Sequence, residues 1–425
     1  MRQTFTSTLA GRRRGRLKRI FPLMDCDPHL CGKAIIGCVL ISLHARGLLN
    51  SPPPEFVSPR PACEGQEQQF ARAFAIIRQA IVEGAFPGAA LAVSYHGALV
   101  AAQGFGRFTC EEKSAAVQAD TVFDLASITK VVATTAVAML LYERGEFLLD
   151  EPVAQSMPEF VRLAPKHQQA RREAVTIRML LAHSSGLPAY EKLFEFAATR
   201  QELINAALTT RLTATPGTRA SYSDIGFIIL GELLARKAGL ALDLFAAQEI
   251  FAPLGMRQTR FQPPSQWKTG IPPTEDDRKF RKRVIQGEVN DENAYVMGGV
   301  AGHAGLFAPA ADVARFAECL LGGGSPLFSK STVKLFTHRE PSPPGTTRTL
   351  GWDTPSQPHS SSGRLFSLVS FGHLGFTGTS LWIDPGRKLS VTLLTNRTWP
   401  DRASQLIRQV RPQVHDAIIE ALEGS

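Results

Sequence analysis

Residues 122–141 read VFDLASITKVVATTAVAMLL and place Ser127 and Lys130 three positions apart in an apolar run. A run of this length and composition predicts a buried helix. On a helix, side chains at i and i+3 share a face and can meet. Because burial disfavours the charged form of a lysine, we expect the pKa of Lys130 to fall from about 10.4 toward neutrality. A neutral Lys130 can take the hydroxyl proton of Ser127 and activate it as a nucleophile.

Ser127 is expected in the first turn of this helix. Backbone N–H groups there have no partner within the helix, and the positive end of the helix dipole favours developing negative charge. The S-x-x-K spacing also occurs in helices without a catalytic role, so the pair has to be interpreted with the rest of the chain.

Two further polar segments follow in chain order. Residues 222–224 read YSD, and residues 373–378 read HLGFTG before an apolar stretch typical of a strand. With SITK, these segments resemble the three boxes of the serine β-lactamase, penicillin-binding protein and related esterase superfamily. They are most similar to its class C-related branch, where the second box is Y-x-N and the third is K-T-G or H-x-G. The flanking stretches 87–109, 175–190 and 298–320 are typical of the same branch, and the resemblance covers about residues 70–415.

The resemblance implies a serine hydrolase that works through an acyl-enzyme and needs no cofactor or metal. It assigns the chemistry to Ser127 as nucleophile, Lys130 as base, and Tyr222 as the hydroxyl that relays a proton to the leaving group or helps to activate water. The backbone N–H groups of Ser127 and Phe376 would form the oxyanion hole. The residues expected to bind substrate are Asp224, His373, Gly375 and Thr377.

Two positions depart from the usual pattern of the branch, and His373 takes the histidine form of the third box in place of the commoner lysine. Asp224 stands where asparagine is usual and replaces an amide with a carboxylate that only accepts hydrogen bonds. We expect it to disfavour turnover of lactam antibiotics and to pair with Lys130 or His373. His373 replaces the usual lysine and should change charge near pH 6.5 if its pKa is unperturbed, which would make the binding of a substrate carboxylate depend on pH. Asn290 begins NDENA where related chains usually have histidine.

A second serine, Ser184 in AHSSG, fits a relaxed nucleophile elbow. An elbow should lead directly into a helix, but Leu187-Pro188 interrupts the chain there, which favours a turn at the end of a helix. His183 and His303 lie near glycine-rich turns and are interpreted as packed or hydrogen-bonding residues. The sequence has no H-E-x-x-H or C-x-x-C motif, so a metal site is not expected.

Charge and composition separate the chain into two parts. Seven basic residues among the first twenty account for most of the net charge of +9, so the remainder has no evident nucleic-acid footprint. Residues 1–66 combine this basic stretch, the apolar segment 34–43 and a proline-rich spacer. They are interpreted as a targeting segment or a disordered tail, with possible membrane or envelope association, and a wrongly assigned start stays open. Residues 67–425 are expected to form the hydrolase domain, in the periplasm or in the cytoplasm.

The coarse pattern predicts an α+β fold. A helix at 69–83 precedes strands at 90–95 and 98–104. A mostly helical middle follows from about 140 to 320. Strands at 365–371, 379–383 and 390–395 then precede a final helix at 401–422. Strands at both chain ends imply one antiparallel sheet completed by distant segments, with helices packed on it. The segments 262–292 and 339–363 are expected to be long loops at the rim of the cleft.

The leading functional hypothesis is hydrolysis of an amide or ester, with a cell-wall peptide or muropeptide as the favoured substrate. One alternative is a promiscuous carboxylesterase. Another is a catalytically inactive relative that binds cell-wall material. The sequence does not identify the substrate, because long loops shape the pocket. It does not identify the oligomeric state either.

Overall fold

A computed structural model of the chain describes residues 60–61, 63–356 and 358–424. The expectations for residues 1–59 fall outside this range. Arg60–Pro61, which belong to the segment assigned to the leader, form a short edge strand (β1). The division of the chain at residue 66 stays a prediction.

The first half of the described chain contains the elements that frame the nucleophile. Its helices are α1 (Gln66–Gln69), α2 (Ala71–Val82), α3 (Ala136–Glu143), α4 (Val153–Ser156), α5 (Glu159–Arg162), α6 (Lys166–Glu173), α7 (Ile177–Leu181) and α8 (Arg200–Thr209). Its strands are β2 (Gly88–Tyr95), β3 (Ala98–Gly106) and β4 (Phe123–Asp124). Single 3₁₀ turns lie at Ala126–Ile128 and Leu193–Glu195, and a π-helix spans Lys130–Thr135.

The second half supplies the rest of the sheet and the opposite wall of the site. Its helices are α9 (Asp224–Ala238), α10 (Leu242–Ala246), α11 (Glu292–Val296), α12 (Ala310–Leu321), α13 (Lys330–Thr337) and α14 (Ile407–Glu423), with a π-helix at Ala247–Phe251 and a 3₁₀ helix at Ser265–Gly270. Its strands are β5 (Arg260–Phe261), β6 (Glu275–Asp277), β7 (Arg283–Ile285), β8 (Leu306–Ala308), β9 (Phe371–Leu374), β10 (Ser380–Asp384) and β11 (Leu389–Thr395).

The main sheet joins the two ends of the described chain. Its strand order is β1-β3-β2-β11-β10-β9, antiparallel except where β1 meets β3. β2 pairs with β11, with Leu91 opposite Leu393. The expectation that strands near both chain ends form one antiparallel sheet is confirmed.

Side chains of β2 alternate between two cores. Leu91 and Val93 pack in the core beneath α2 and α14, whereas Ala90 and Ala92 face the larger core of the helical region. Because a strand covered on both faces needs apolar side chains at every position, the near-continuous apolar sequence of β2 suits the centre of the sheet.

The segment around the nucleophile differs from the continuous helix that the apolar run predicts. It consists of β4, a 3₁₀ turn, a π-helix and α3 in succession. Asp124 Oδ1 accepts a hydrogen bond from Ala126 N at 2.8 Å, and Ala126 has a φ of 46°. These local side-chain bonds compete with regular helix formation and fix a turn directly before Ser127. Residues 126–143 are apolar enough to cross a membrane by composition, but they are mostly buried in the core.

The predicted strand at 365–371 is wrong except for its last residue. Asp384 accepts hydrogen bonds from both the backbone N–H and the hydroxyl of Ser367, which holds a turn there. Leu368 and Val369 are exposed, and the strand begins only at Phe371. The segment 262–292 is likewise more ordered than a loop, because it contains a 3₁₀ helix and the β6–β7 hairpin.

Candidate active site

Ser127 receives hydrogen bonds from both of its predicted partners. Lys130 Nζ donates to Ser127 Oγ at 3.0 Å, and the Tyr222 hydroxyl donates to the same oxygen at 2.7 Å. The 3₁₀ turn and the π-helix carry Ser127 and Lys130, and Tyr222 lies just before α9. The fold therefore brings the nucleophile, the base and the proton donor predicted from sequence into direct contact.

Lys130 is fully buried and has two further partners. Its Nζ donates to the carbonyl oxygen of His303 at 2.8 Å and lies 2.6 Å from Asp224 Oδ1. Burial lowers the pKa of Lys130 from 10.5, although the Asp224 carboxylate opposes this shift. A neutral amine can donate to His303 and Asp224 and direct its lone pair at the hydroxyl of Ser127. The expected pairing of Asp224 is thus with Lys130.

Tyr222 is held in its protonated form. Burial raises its pKa well above 10, and the carboxylate of Asp224 raises it further. The ring of His183 packs against the Tyr222 ring at 4.8 Å, and His183 Nδ1 accepts a hydrogen bond from Ser223 N at 3.1 Å. His183 is a packed, hydrogen-bonded residue, as expected.

The third box is attached to the nucleophile turn by two hydroxyl groups. Thr377 Oγ1 donates to Asp124 O at 2.8 Å, and Thr379 Oγ1 donates to Leu125 O at 2.9 Å. In the described part of the chain, the backbone N–H groups of Ser127 and Phe376 donate to no protein acceptor. An oxyanion hole requires such donors, and the assignment of these two N–H groups to it stays a prediction.

Three residues of the third box make close contacts within the protein, and their expected role in binding substrate stays a prediction. Thr377 is fully buried, with its hydroxyl bonded to Asp124. A Cβ at Gly375 would clash with Thr379 Oγ1, so the close approach at this glycine comes from the protein itself. His373 is also buried, 5.9 Å from the Tyr222 ring, with Nδ1 2.8 Å from Leu374 O.

The expected change of charge at His373 near pH 6.5 needs correction. Burial, together with the positive charges of Lys130 and Arg348, lowers the pKa of His373 well below 6.5. Its imidazole is therefore neutral across the physiological range and offers no pH-dependent positive charge to a substrate carboxylate.

Ser184 is buried and lies apart from the cavity at Ser127. Its backbone is held by bonds from Ser184 N to Met179 O and from Gly217 N to Ser184 O. The following residues form irregular structure that extends past Pro188. This matches the interpretation of a turn at a helix end.

The buried carboxylate of Asp124, which the sequence did not single out, lies directly behind the nucleophile. Asp124 Oδ1 accepts from Ala126 N, and its Oδ2 accepts from Asn290 N at 2.7 Å. Burial raises the pKa of Asp124 to about 6, although both backbone N–H groups oppose this shift. Asp124 thus joins the nucleophile turn to the segment that forms the opposite wall of the site. An aspartate two residues before a backbone kink is a recognisable signal, but its second partner is remote in sequence.

We expect Asp124→Ala to lower the free energy of unfolding by about 2–5 kcal/mol, because it leaves two buried N–H groups without acceptors. Chemical denaturation of the full chain measures this loss. Asp312→Ala provides a matched control, since Asp312 also accepts from a backbone N–H but lies away from Ser127. If Asp124→Ala and Asp312→Ala lose the same stability and the same kcat/KM, then Asp124 has no local role in shaping the site around Ser127.

A cavity of about 380 Å³ opens over Ser127. Its lining combines the predicted catalytic side chains of Ser127 and Tyr222 with residues that the sequence did not single out. The lining residues are Ala126, Ser127, Tyr190, Tyr222, Asp224, Asn290, Asp291, Glu292, His303, Ala304, Leu374, Phe376 and Arg402. Within the described ranges, no group of three or more histidine, cysteine, aspartate or glutamate residues is placed to hold a metal ion.

One wall of the cavity is an ion-pair network. Asp291 Oδ1 lies 2.8 Å from His303 Nε2, and Arg402 donates to Glu292 and Glu275, each at 2.7 Å. Burial would raise the pKa of Asp291, but His303 and the Ala294 N–H hold it at about 2. His303 is therefore a hydrogen-bonding residue, as expected, and its carbonyl also orients Lys130.

Comparisons with known proteins agree with the three boxes. The sequence model described as Beta-lactamase matches residues 73–414. The chain is 32% identical over 350 residues to an N-acetylmuramyl-L-alanine amidase of Bacillus subtilis, covering 73% of this chain and 77% of that protein. It is 31% identical over 335 residues to a putative D-alanyl-D-alanine carboxypeptidase of Escherichia coli, covering 72% and 76%.

Solved structures share the fold at lower identity. EstCE1, a hydrolase with promiscuous acyltransferase activity, aligns with a TM-score of 0.67 at 22% identity and covers 83% of this chain and 99% of its own. A class C β-lactamase from Rhodobacter sphaeroides aligns with a TM-score of 0.63 at 21% identity, covering 83% and 99%. These structures establish the α+β fold expected from sequence.

Proposed function

Because the chain belongs to the β-lactamase family of serine hydrolases, we propose that it cleaves an amide bond in cell-wall-derived peptides or glycopeptides through an acyl-enzyme on Ser127. The observation that carries this proposal is the pair of hydrogen bonds that Ser127 Oγ receives from Lys130 and Tyr222. Intact contacts among all three groups argue against an inactive binding relative.

Acylation follows from the protonation states of these groups. In the molecules in which Lys130 has lost its proton, Nζ takes the Ser127 proton as Oγ attacks the carbonyl carbon, and the N–H groups of Ser127 and Phe376 stabilise the oxyanion. When the C–N bond breaks, protonated Tyr222 donates its proton to the leaving nitrogen. Asp224 lies beside both Lys130 and Tyr222, so the proton on Lys130 can return to the tyrosine oxygen.

Water then attacks the ester by the reverse sequence of proton transfers. The Tyr222 oxygen accepts the water proton while the tyrosine's own proton passes to Lys130, and Lys130 then gives that proton to Ser127 Oγ as the acyl group leaves. The reaction consumes one water and regenerates the starting hydrogen bonds, so no cofactor takes part in this scheme.

An amidase fits the site better than a carboxypeptidase does. A carboxypeptidase has to bind the free carboxylate of its substrate, and the usual lysine of the third box is here a buried histidine with a depressed pKa. Arg402, the guanidinium that lines the cavity, is already bonded to Glu275 and Glu292. The relative named as an amidase of N-acetylmuramyl-L-alanine therefore gives the more suitable substrate class.

The experiment is a comparison of purified full-length protein on three substrates: a muramyl-L-alanine peptide, a peptide ending in D-alanyl-D-alanine, and a neutral nitrophenyl ester. We expect release of L-alanyl peptide from the first at a kcat/KM at least tenfold above that for release of D-alanine. Preferential turnover of the nitrophenyl ester alone would identify a carboxylesterase instead, and preferential release of D-alanine would identify a carboxypeptidase.

The depressed pKa of His373 gives a separate prediction. We expect kcat/KM for a substrate with a free carboxylate and for a neutral ester to follow the same pH profile between about pH 5.5 and 7.5, because His373 stays neutral in this interval. Parallel stopped-flow or steady-state assays check this expectation. A profile for the carboxylate substrate that rises as pH falls through about 6.5 would show that His373 carries charge in the working enzyme.

A further inference from the structure

Two partly exposed aromatic side chains line the cavity that contains Ser127. Tyr190 is 39% exposed and Phe376 is 47% exposed, although each contributes to the cavity wall. The guanidinium carbons of Arg397 and Arg402 lie 4.6 Å and 5.4 Å from the centre of the Phe376 ring, which limits its freedom to turn away. Aromatic rings left uncovered inside an active-site cavity offer apolar contact area to a bound ligand.

The same cavity has a polar wall built by consecutive residues. Asn290, Asp291 and Glu292 all line it. Asp291 uses Oδ1 for both His303 Nε2 and Ala294 N, and Glu292 uses Oε1 for Arg402. Each carboxylate is thus oriented by a basic partner, and its second oxygen has lone pairs for further hydrogen bonds.

Aromatic rings beside oriented carboxylates match the two kinds of surface on a sugar. A pyranose ring has a face of C–H groups, which packs on an aromatic ring, and a rim of hydroxyl groups, which donate to carboxylates. Charge-assisted hydrogen bonds of this kind are stronger than neutral ones and fix orientation. The cavity volume of about 380 Å³ is within the range of small-ligand sites.

We propose that Tyr190 and the Phe376 ring, together with Asp291 and Glu292, form a subsite for the sugar ring of a glycopeptide substrate. This inference rests on the proposed amide hydrolysis and specifies its substrate class. The sugar would lie on the acyl side of the scissile bond, next to the carbonyl that Ser127 attacks, and would distinguish a glycopeptide from the bare peptide.

Two other ligand classes fit the wall less well. An ammonium group would be attracted by unpaired carboxylates, but Asp224, Asp291 and Glu292 already contact Lys130, His303 and Arg402, respectively. A purely apolar acyl chain would displace water from these carboxylates and offer no hydrogen bonds in its place. The lost hydration would weaken binding considerably. A neutral ligand with several hydroxyl groups avoids both problems.

The test measures binding without turnover. Full-length Ser127→Ala protein is titrated by calorimetry with N-acetylmuramyl-L-alanyl-D-isoglutamine and with L-alanyl-D-isoglutamine, which lacks the sugar. We expect the first ligand to bind at least tenfold more tightly. In the Ser127→Ala background, Tyr190→Ala should remove most of this difference, whereas Tyr190→Phe should retain it because the ring remains.

Phe196→Ala provides the matched control, because Phe196 is an 83% exposed aromatic residue on the same part of the chain that does not line the cavity. It should leave the difference between the two ligands unchanged. Saturation transfer from aromatic protons to the sugar C–H protons, measured by NMR with the Ser127→Ala protein, tests the contact without any change at Tyr190.

Equal affinity for the two ligands would overturn the sugar subsite. So would tighter binding of a lysine-bearing peptide than of the muramyl ligand, which would identify a site for cations. If the wild-type protein fails to hydrolyse the amide but its Ser127→Ala variant still binds the sugar ligand preferentially, the proposed function fails and the subsite stands. If hydrolysis occurs equally well on glycopeptide and bare peptide, the function stands and the subsite fails.

Discussion

Ser127→Ala is expected to abolish covalent labelling by a fluorophosphonate and to lower kcat by about 10³-fold or more. The reason is that Ser127 Oγ is the atom to which both Lys130 and Tyr222 donate, and loss of the nucleophile leaves only substrate binding and the oxyanion donors. Intact-mass spectrometry after incubation with the label, together with steady-state hydrolysis of a nitrophenyl ester, measures both effects.

Ser184→Ala is the matched control for this variant. Ser184 is a second serine of the candidate motifs, but it is buried and lies outside the cavity. Labelling and turnover should both survive its substitution. Labelling that persists in Ser127→Ala and disappears in Ser184→Ala would assign the nucleophile to the other serine.

Lys130→Met is expected to slow acylation by about 10²–10⁴-fold, the usual contribution of a positioned general base. In the wild-type protein, the acylation rate should rise with pH as Lys130 loses its proton, with a midpoint below 10.5 because burial lowers its pKa. The variant should lack this rise. Stopped-flow measurement of the nitrophenolate burst across the pH range records both quantities.

Removal of Lys130 alone leaves Asp224 without its cationic partner, which destabilises the fold. The double variant Lys130→Met with Asp224→Asn removes both charges and separates lost catalysis from lost stability. Lys237→Met is a control at a remote ion pair with Glu151 and should keep the wild-type pH profile. An unchanged pH profile in the double variant would exclude Lys130 as the base.

The contacts of Ser127 could be anticipated because they depend on short spacings and on the order of the boxes. Ser127 and Lys130 are three positions apart, and any helical turn brings such positions onto one face. The local backbone is nevertheless a 3₁₀ turn followed by a π-helix, because side-chain bonds from Asp124 and Thr129 to remote or neighbouring backbone groups reshape it. The bond from Leu306 N to Thr129 involves a partner far away in sequence, so periodicity does not reveal it.

For His373 and Thr377, the sequence indicates the motif but not the direction in which each side chain points. Box residues were expected to face substrate, but the sequence does not indicate which side of a box faces inward. In the structure Thr377 bonds to Asp124 O, and burial keeps His373 neutral. Tyr190 and Arg402 were missed for the opposite reason, because they come from irregular segments that only the folded chain brings to the cavity.

The pairing of β2 with β11 has a consequence for the order of events during folding. These strands lie near opposite ends of the described chain, and contacts of such large sequence separation generally slow folding. Ser127 precedes Phe376, the predicted second oxyanion donor, by most of the length of the domain. During synthesis, Ser127 therefore emerges from the ribosome long before Phe376 and the last strands of the sheet. We therefore expect the nascent chain to be inactive as a hydrolase until its final strands have been made and have joined the sheet, and we expect a truncation that removes β11 to abolish activity together with the fold.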